Sequence, residues 1–353
     1  MKYYQIIALL LITITNSFAQ IEVHVLDVGA GHATILELEN NKWGIYDAGG
    51  AHKDKGKTFK SKISKLIPKG DSIEFMVLSH TDADHIYAAK YVLEKYYVKK
   101  IITTGYTKNN IGNNHNSYWN RLLRKIEKVE SKKNTQVINL NKEKRNISTQ
   151  DNFYVGQSYF EFLSGFHQPL PNWNLSEAKS VNAVSIIMKL TYMNKSILFT
   201  GDAVGRKIGS NNSNLIATDK FLAENKKDEL NVDVVIAPHH GADNGSSKKF
   251  CELTTPKYVI FPAGNTYGHP TKQTADRYHL FGGTSYQNIF RTDRGEGWVN
   301  SSEYNNYINA KYNDVREWAG QAQKNYKDKI GDDDIYIRIS KASMLEVDYY
   351  SKE

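Results

Sequence analysis

The chain has 353 residues, 40% of them hydrophobic and 24% charged, with a formal charge of +8. Its single cysteine, Cys251, excludes an internal disulfide, and no repeat or Pro/Gly-rich linker divides it, so it reads as one large domain or two modest ones. The positive excess, with 23 tyrosines, leans toward an acidic partner such as a phosphate-bearing polymer or an envelope surface.

Met1 to Phe18 is apolar and uncharged apart from Lys2, and Ser17-Phe18-Ala19 offers small residues where a signal peptidase reads. Residues 1–19 are therefore expected to be a signal peptide, which makes the protein secreted or periplasmic. A retained anchor is the alternative, although the apolar run is shorter than the ~20 residues a spanning helix needs. No stable membrane span is expected after cleavage.

Strands are predicted at Ile21 to Val28, Ala33 to Glu39 and Lys42 to Asp47, followed by a helix over Lys57 to Leu66. The apolar run Phe75 to Leu78 reads as a buried strand, Ile86 to Tyr96 as a helix and Val98 to Thr103 as a strand. Leu122, Leu123, Ile126 and Val129 repeat at helical spacing within Tyr118 to Val129. Ser131 to Gln150, rich in lysine and asparagine, reads as an exposed connection. Strands resume over Phe153 to Leu163 and as a hairpin over Ala183 to Thr200. Val232 to Pro238 and Tyr258 to Pro262 read as buried strands that lead into ligand-rich loops. A polar helical insert near 303–329 precedes two closing strands, Ile335 to Ile339 and Ser343 to Tyr349. Strands in two groups with helices between them predict a layered α/β protein, a single domain over 20–353.

Ser79-His80-Thr81-Asp82-Ala83-Asp84-His85 directly follows the Phe75 to Leu78 strand. Residues two apart on an extended segment point the same way, so His80 and Asp82 can converge on one point. Asp84 and His85, where the next helix begins, can face a second. Imidazole and carboxylate together suit zinc, iron or manganese; the plainer reading is a polar surface turn. Asp202 follows another buried strand through Gly201, and His239 and His240 follow the next in Pro-His-His-Gly, where one of the pair equally well has a structural role. Together these loops supply ligands for two metals and a bridging carboxylate. Two divalent ions about 3.5–4 Å apart can hold a hydroxide nucleophile and clamp a displacement at phosphorus.

The chain resembles the metallo-β-lactamase superfamily and, within it, the hydrolase domain of ComEC-type competence DNA-uptake proteins and its free-standing relatives. The matching pieces run from near residue 26 to about 300. They are Leu26 to Ala33, Tyr46-Asp47-Ala48-Gly49-Gly50, the His80 to His85 cluster, Asn182 with Ser185, Thr200-Gly201-Asp202, Pro238-His239-His240-Gly241, Asn265 to Pro270 and Arg291 to Arg294. The resemblance implies a four-layer αββα sandwich and two divalent ions, zinc or manganese. It puts His80 and Asp82 on the first metal and Asp84, His85 and either His239 or His240 on the second, with Asp202 between them. Asp84 and His269 are the catalytic candidates, His269 on the substrate side or, alternatively, capping the helix near Thr271. Asp27 and Asp47 would brace the ligand loops. Two departures stand out: a further histidine ligand for the first metal is either His167 or missing, and His32 replaces the aspartate that usually ends the opening Gly-Gln-Gly-Asp motif.

The expected activity is that of a secreted two-metal phosphodiesterase or nuclease, acting on DNA or another nucleotide substrate through a metal-held hydroxide. The lysine pairs Lys132-Lys133 and Lys248-Lys249 are candidates for guiding a polyanion. Hydrolysis of a lactam, lactone or thioester is the alternative reaction, and a non-catalytic DNA-binding module the alternative class. Nothing in the sequence specifies a protein partner.

Overall fold

Alternating apolar runs form fifteen strands in the computed structural model, which describes residues 20–109, 113–210, 214–264, 267, 269–293 and 333–350. The expected signal peptide (1–19) and polar insert (303–329) lie outside the described residues. The strands are β1 Gln20–Val25, β2 Ala33–Leu38, β3 Lys42–Ala48, β4 Ser72–Leu78, β5 Tyr97–Thr103, β6 Gln136–Asn139, β7 Phe153–Val155 and β8 Ser158–Ser164. They continue with β9 Ile187–Tyr192, β10 Lys195–Phe199, β11 Val234–Ile236, β12 Tyr258–Phe261, β13 Ile289–Arg291, β14 Ile335–Ser340 and β15 Leu345–Tyr349.

One sheet runs β15-β14-β1-β2-β3-β4-β5-β6 and the other β13-β12-β11-β10-β9-β8-β7. Each has an antiparallel part and a parallel part: β3 to β6 in the first, β10 to β13 in the second. Parallel neighbours need crossovers, and helices supply them over the outer faces. Lys57–Leu66, Ala89–Lys95 and Tyr118–Lys133 cover the first sheet, and Ala217–Asn225, Lys248–Thr254 and Lys272–Gly282 the second.

Side-chain alternation divides the core into layers. On β4, Phe75 and Val77 point between the sheets, while Met76 and Leu78 point toward the outer helices. β11 repeats the division, with Val234 and Ile236 between the sheets and Val235 under the helices of the second sheet. The result is the expected four-layer αββα sandwich. Tyr46 crosses its middle and donates a hydrogen bond from its hydroxyl to the Ile186 carbonyl at 2.6 Å.

Three local readings change. Ser131 to Gln150 is not simply a connection, because Val137 and Ile138 seat β6 on β5 and Leu140 opens a helical turn. Only four residues pair there, too few to stand out in a polar sequence. The helix expected over Ile86 to Tyr96 comes in two pieces, Ala83–Ile86 and Ala89–Lys95, because the Ala88 amide donates to the Ala48 carbonyl at the tip of β3. The helices Ala217–Asn225 and Lys248–Thr254 had no clear periodic signal, since strands and loops enclose much of their surfaces.

β3 carries a close packing constraint. A Cβ on Gly44 would lie 2.4 Å from the tip of the Phe75 ring on the neighbouring strand. Gly44→Ala is expected to cost about 1–3 kcal/mol of unfolding free energy through this overpacking, read by urea denaturation. Phe75→Leu should recover part of that loss in the double variant. Strictly additive losses would show that the ring is not what Gly44 accommodates.

Candidate metal centre

The C-terminal ends of the parallel strands in both sheets meet at one edge of the sandwich, the position where open α/β sheets carry their ligands. β3 carries Asp47 next to its last residue, β4 leads into Ser79 to His85, β10 into Asp202, and β11 into His239 and His240. Two glycines let these loops close on one another. A Cβ on Gly49 would sit 1.7 Å from the Asp84 carbonyl oxygen, and Gly201, at φ 51°, would place one 2.6 Å from Ser79 Cβ.

Asp202 lies at the centre, buried, and its two oxygens face different neighbours. Oδ1 is 3.1 Å from His85 Nε2 and 3.6 Å from His240 Nε2. Oδ2 is 3.8 Å from His80 Nε2, 3.7 Å from His239 Nε2 and 3.4 Å from Asn182 Nδ2. Asp84 joins the first group, with Oδ2 3.7 Å from His240 Nε2. Both histidines of the pair face Asp202: His240 sits with Asp84 and His85, and His239 sits on the His80 side. Each adopts a left-handed backbone, at φ 54° and 52° respectively, which non-glycine residues take at a cost and which functional sites concentrate.

The far nitrogen of each ring is fixed. Asp47 accepts from His85 Nδ1 at 2.8 Å, the Pro262 carbonyl from His240 Nδ1 at 2.6 Å, and Asn244 Oδ1 from His239 Nδ1 at 2.7 Å. The Ser79 hydroxyl donates to Asp47 at 2.7 Å and lies 3.0 Å from His80 Nδ1. A proton held on Nδ1 leaves the Nε2 lone pair of each imidazole toward Asp202, the tautomer that binds a metal.

Charge follows from this packing. Burial opposes ionisation of Asp202, but His85, His240 and His239 hold its carboxyl well below the usual range. Burial likewise lowers His85, yet Asp202 and Asp47 on either side raise it well above an ordinary imidazole. His80 is lowered by burial and by the charge of His85. His80 Nε2 and Asp202 Oδ1 are buried with no hydrogen-bond partner, an arrangement costing about 1–3 kcal/mol for each such atom. A cation among these imidazoles and carboxylates would satisfy both atoms, so the donor set fits divalent metals with nitrogen and oxygen ligands.

Several expected residues lie elsewhere or act differently. Asp82 points to Lys108, whose Nζ is 2.8 and 3.1 Å from its two oxygens, and not into the cluster. The ring of His167 bonds to Asn146 Oδ1 at 2.9 Å, and Asn182 stands beside Asp202 where a further histidine was sought. His32 is buried against Asp47 and Thr34 and so does not reach the mouth of the site. Asp47 braces Ser79 and His85 directly, whereas Asp27 accepts from the Gly29 amide in the β1–β2 loop. His269 is half-buried with its ring 5.6 Å from that of His239, and the cap of the following helix comes from Thr271 instead. Lys248 and Lys249 lie 3.6 and 3.8 Å from Glu252 in exposed surface pairs on the helix Lys248–Thr254. Lys108 and Asn244 gave no sequence signal of their own; each is recognisable only by what it touches.

A family model described as "Metallo-beta-lactamase superfamily" matches residues 26–261. The chain is 23% identical over 262 residues to Recombination protein 2 of Haemophilus influenzae, an alignment covering 74% of this chain and 26% of that protein. It thus spans about a quarter of that relative's length. Among solved structures, human tRNase Z, short form, matches at 12% identity and TM-score 0.38, covering 68% of this chain and 91% of that one. Zn(2+)-bound PqqB from Methylobacterium extorquens matches at 9% identity and TM-score 0.43, covering 77% and 97%. CmlA, a diiron beta-hydroxylase from Streptomyces venezuelae, matches at 12% identity and TM-score 0.44, covering 78% and 53%.

Asp47 reaches both His85 and, through Ser79, His80. Asp47→Asn would leave the site's shape but weaken these orienting bonds, and is expected to lower zinc affinity by about 10–100-fold, measured by competition with a chromophoric chelator. Unchanged affinity would show that the histidines are oriented without it.

Proposed function

The chain belongs to the metallo-beta-lactamase superfamily, and we propose that it is an exported two-metal phosphodiesterase that cleaves nucleic acid. The observation that carries the two-metal reading is the division of the site by Asp202. His80, His239 and Asn182 gather at Oδ2, and His85 and His240, with Asp84 beside them, at Oδ1. These two groups would each hold one divalent ion, zinc or manganese, with Asp202 between them. Such ions lower the pKa of water and offset negative charge on a phosphate oxygen.

The chain's own residues supply the rest. Lys108 sets an ammonium group beside Asp82, partly exposed, where it can neutralise a phosphate oxygen of an arriving diester. His269, beside His239, is placed to pass a proton to the departing oxygen. Asn182 Nδ2, 3.3 Å from His239 Nε2, donates to Asp202 Oδ2 at 3.4 Å and so helps to hold the carboxylate between the two groups. Likeness to a protein named for recombination supports nucleic acid as the substrate. The apolar leader at 1–19 supports export.

The metal-loaded protein is expected to carry two equivalents of zinc or manganese by elemental analysis, and His240→Ala about one. Incubated with linear DNA and manganese, the parent should fragment the DNA and Asp84→Ala should not. Turnover of lactones with no cleavage of DNA or a small diester would replace the phosphodiester reading with the carbonyl one. N-terminal sequencing of the exported protein is expected to begin at Gln20, and an intact Met1 would remove the export reading.

A further inference from the structure

Directly beyond His85 the surface opens into a groove between the helices Ala89–Lys95 and Tyr118–Lys133. Two adjoining depressions of about 190 and 340 Å³ make it, sharing Lys90, Glu94 and Arg121 along their common edge. The inner one begins at Ile86 and Tyr87, one and two residues past His85, and Tyr87 lies near enough to Asp84 to feel its charge.

Its lining is strongly cationic. Lys60, Lys90, Arg121, Arg124, Lys125 and Lys128 line it, and Glu94 is the single carboxylate among the described lining residues. Arg121, Arg124, Lys125 and Lys128 fall at i, i+3, i+4 and i+7, one stripe of the long helix, about 10 Å in length. An adjacent stripe, at Leu122, Ile126 and Val129, is buried against the first sheet, so packing fixes the helix with its charges outward.

Aromatic rings are set among the charges. Tyr87 and Tyr118 meet edge to face with ring centres 4.6 Å apart, and the Arg121 guanidinium lies 4.5 Å from the Tyr118 ring. Tyr91 lies under Lys60, 5.8 Å from its ring centre. A concave cationic track edged by the half-buried rings of Tyr91 and Tyr118 suits a single strand, with cations for the phosphates and aromatic surface beside them for the bases. A membrane surface would instead ask for a convex face with exposed apolar side chains.

We propose that this groove binds the single-stranded flank of a nucleic-acid substrate and leads it, past Tyr87, into the metal centre. The proposal rests on the nucleic-acid reading above for its substrate class, and it extends that reading to a surface that contributes no metal ligand.

The test is binding without turnover. Fluorescence anisotropy would follow a labelled oligothymidine strand of roughly 30 nucleotides on the full protein, in chelator, across a salt series. Arg121→Glu, Arg124→Glu and Lys128→Glu combined are expected to weaken binding at least about tenfold and to flatten the plot of log affinity against log salt by about 2, near 0.7 per lost phosphate contact. Lys248→Glu with Lys249→Glu, two charge reversals on another face, should leave both unchanged. Arg124→Glu and Lys128→Glu singly, at exposed positions, should each give part of the effect and guard against misfolding of the triple variant, checked by thermal melting.

Unchanged affinity and slope in the triple variant, or no strand binding by the parent, would overturn the proposal. So would loss of binding to vesicles of anionic lipid with strand binding intact. A parent that binds through the groove but cleaves no nucleic acid would uphold the groove and remove the phosphodiesterase reading instead.

Discussion

A carboxylate without solvent access, Asp47, organises the chemistry-bearing end of this molecule. It stands at the tip of β3 in a left-handed backbone conformation, φ 58°, and accepts from the Ser79 amide, the Ser79 hydroxyl and His85 Nδ1. Burial alone would push its proton affinity up, but the charge on His85 and hydrogen bonds from His32 and His85 bring it down, so it remains an anion. An isolated buried carboxylate would be costly; here its partners surround it. The loop after β4 consequently has one preferred course, and the two histidines it carries have one orientation each.

On that support the second sheet places its own contribution. Asp202 and the His239-His240 pair come from β10 and β11, so the centre closes only when the two sheets pack. The inter-sheet core, including Phe75, Phe160 and Phe199, and the Tyr46 bond to Ile186 therefore fix the distance between ligand groups that never meet along the chain. Two consecutive histidines in left-handed conformations lie on this junction. Their strain is sustained by the bonds each ring makes behind it, to Asn244 and to Pro262. The centre is thus braced behind its histidine rings, and Asp82, Lys108 and His269 lie on its less buried side.

Charge is distributed to match. The centre gathers carboxylates and imidazoles suited to cations, while the adjoining groove gathers lysines and arginines suited to an anion. A polymer of phosphodiesters would meet both: its backbone on the cationic helix and one linkage at the metals. Of the lysine pairs conspicuous in the sequence, Lys248-Lys249 lies on a different helix, over the second sheet and beside Glu252.

The sequence by itself determined the sandwich and the loops that carry the ligands. Period-two apolar runs mark strands such as β4 whatever their partners, and a strand ending in His80 to His85, in Gly201-Asp202 or in His239-His240 announces its chemistry locally. Only the tertiary structure decided the rest. Lys108 meets Asp82 26 residues away in the chain, Asn182 takes its place beside Asp202 20 residues on, and the ring of His167 bonds to Asn146. That both histidines of the pair face Asp202 follows from two left-handed residues that no spacing rule foresees. Local pattern encodes which face of a strand or helix is apolar. Which polar side chains converge depends on how two sheets and their loops pack, and that information is spread over the whole chain.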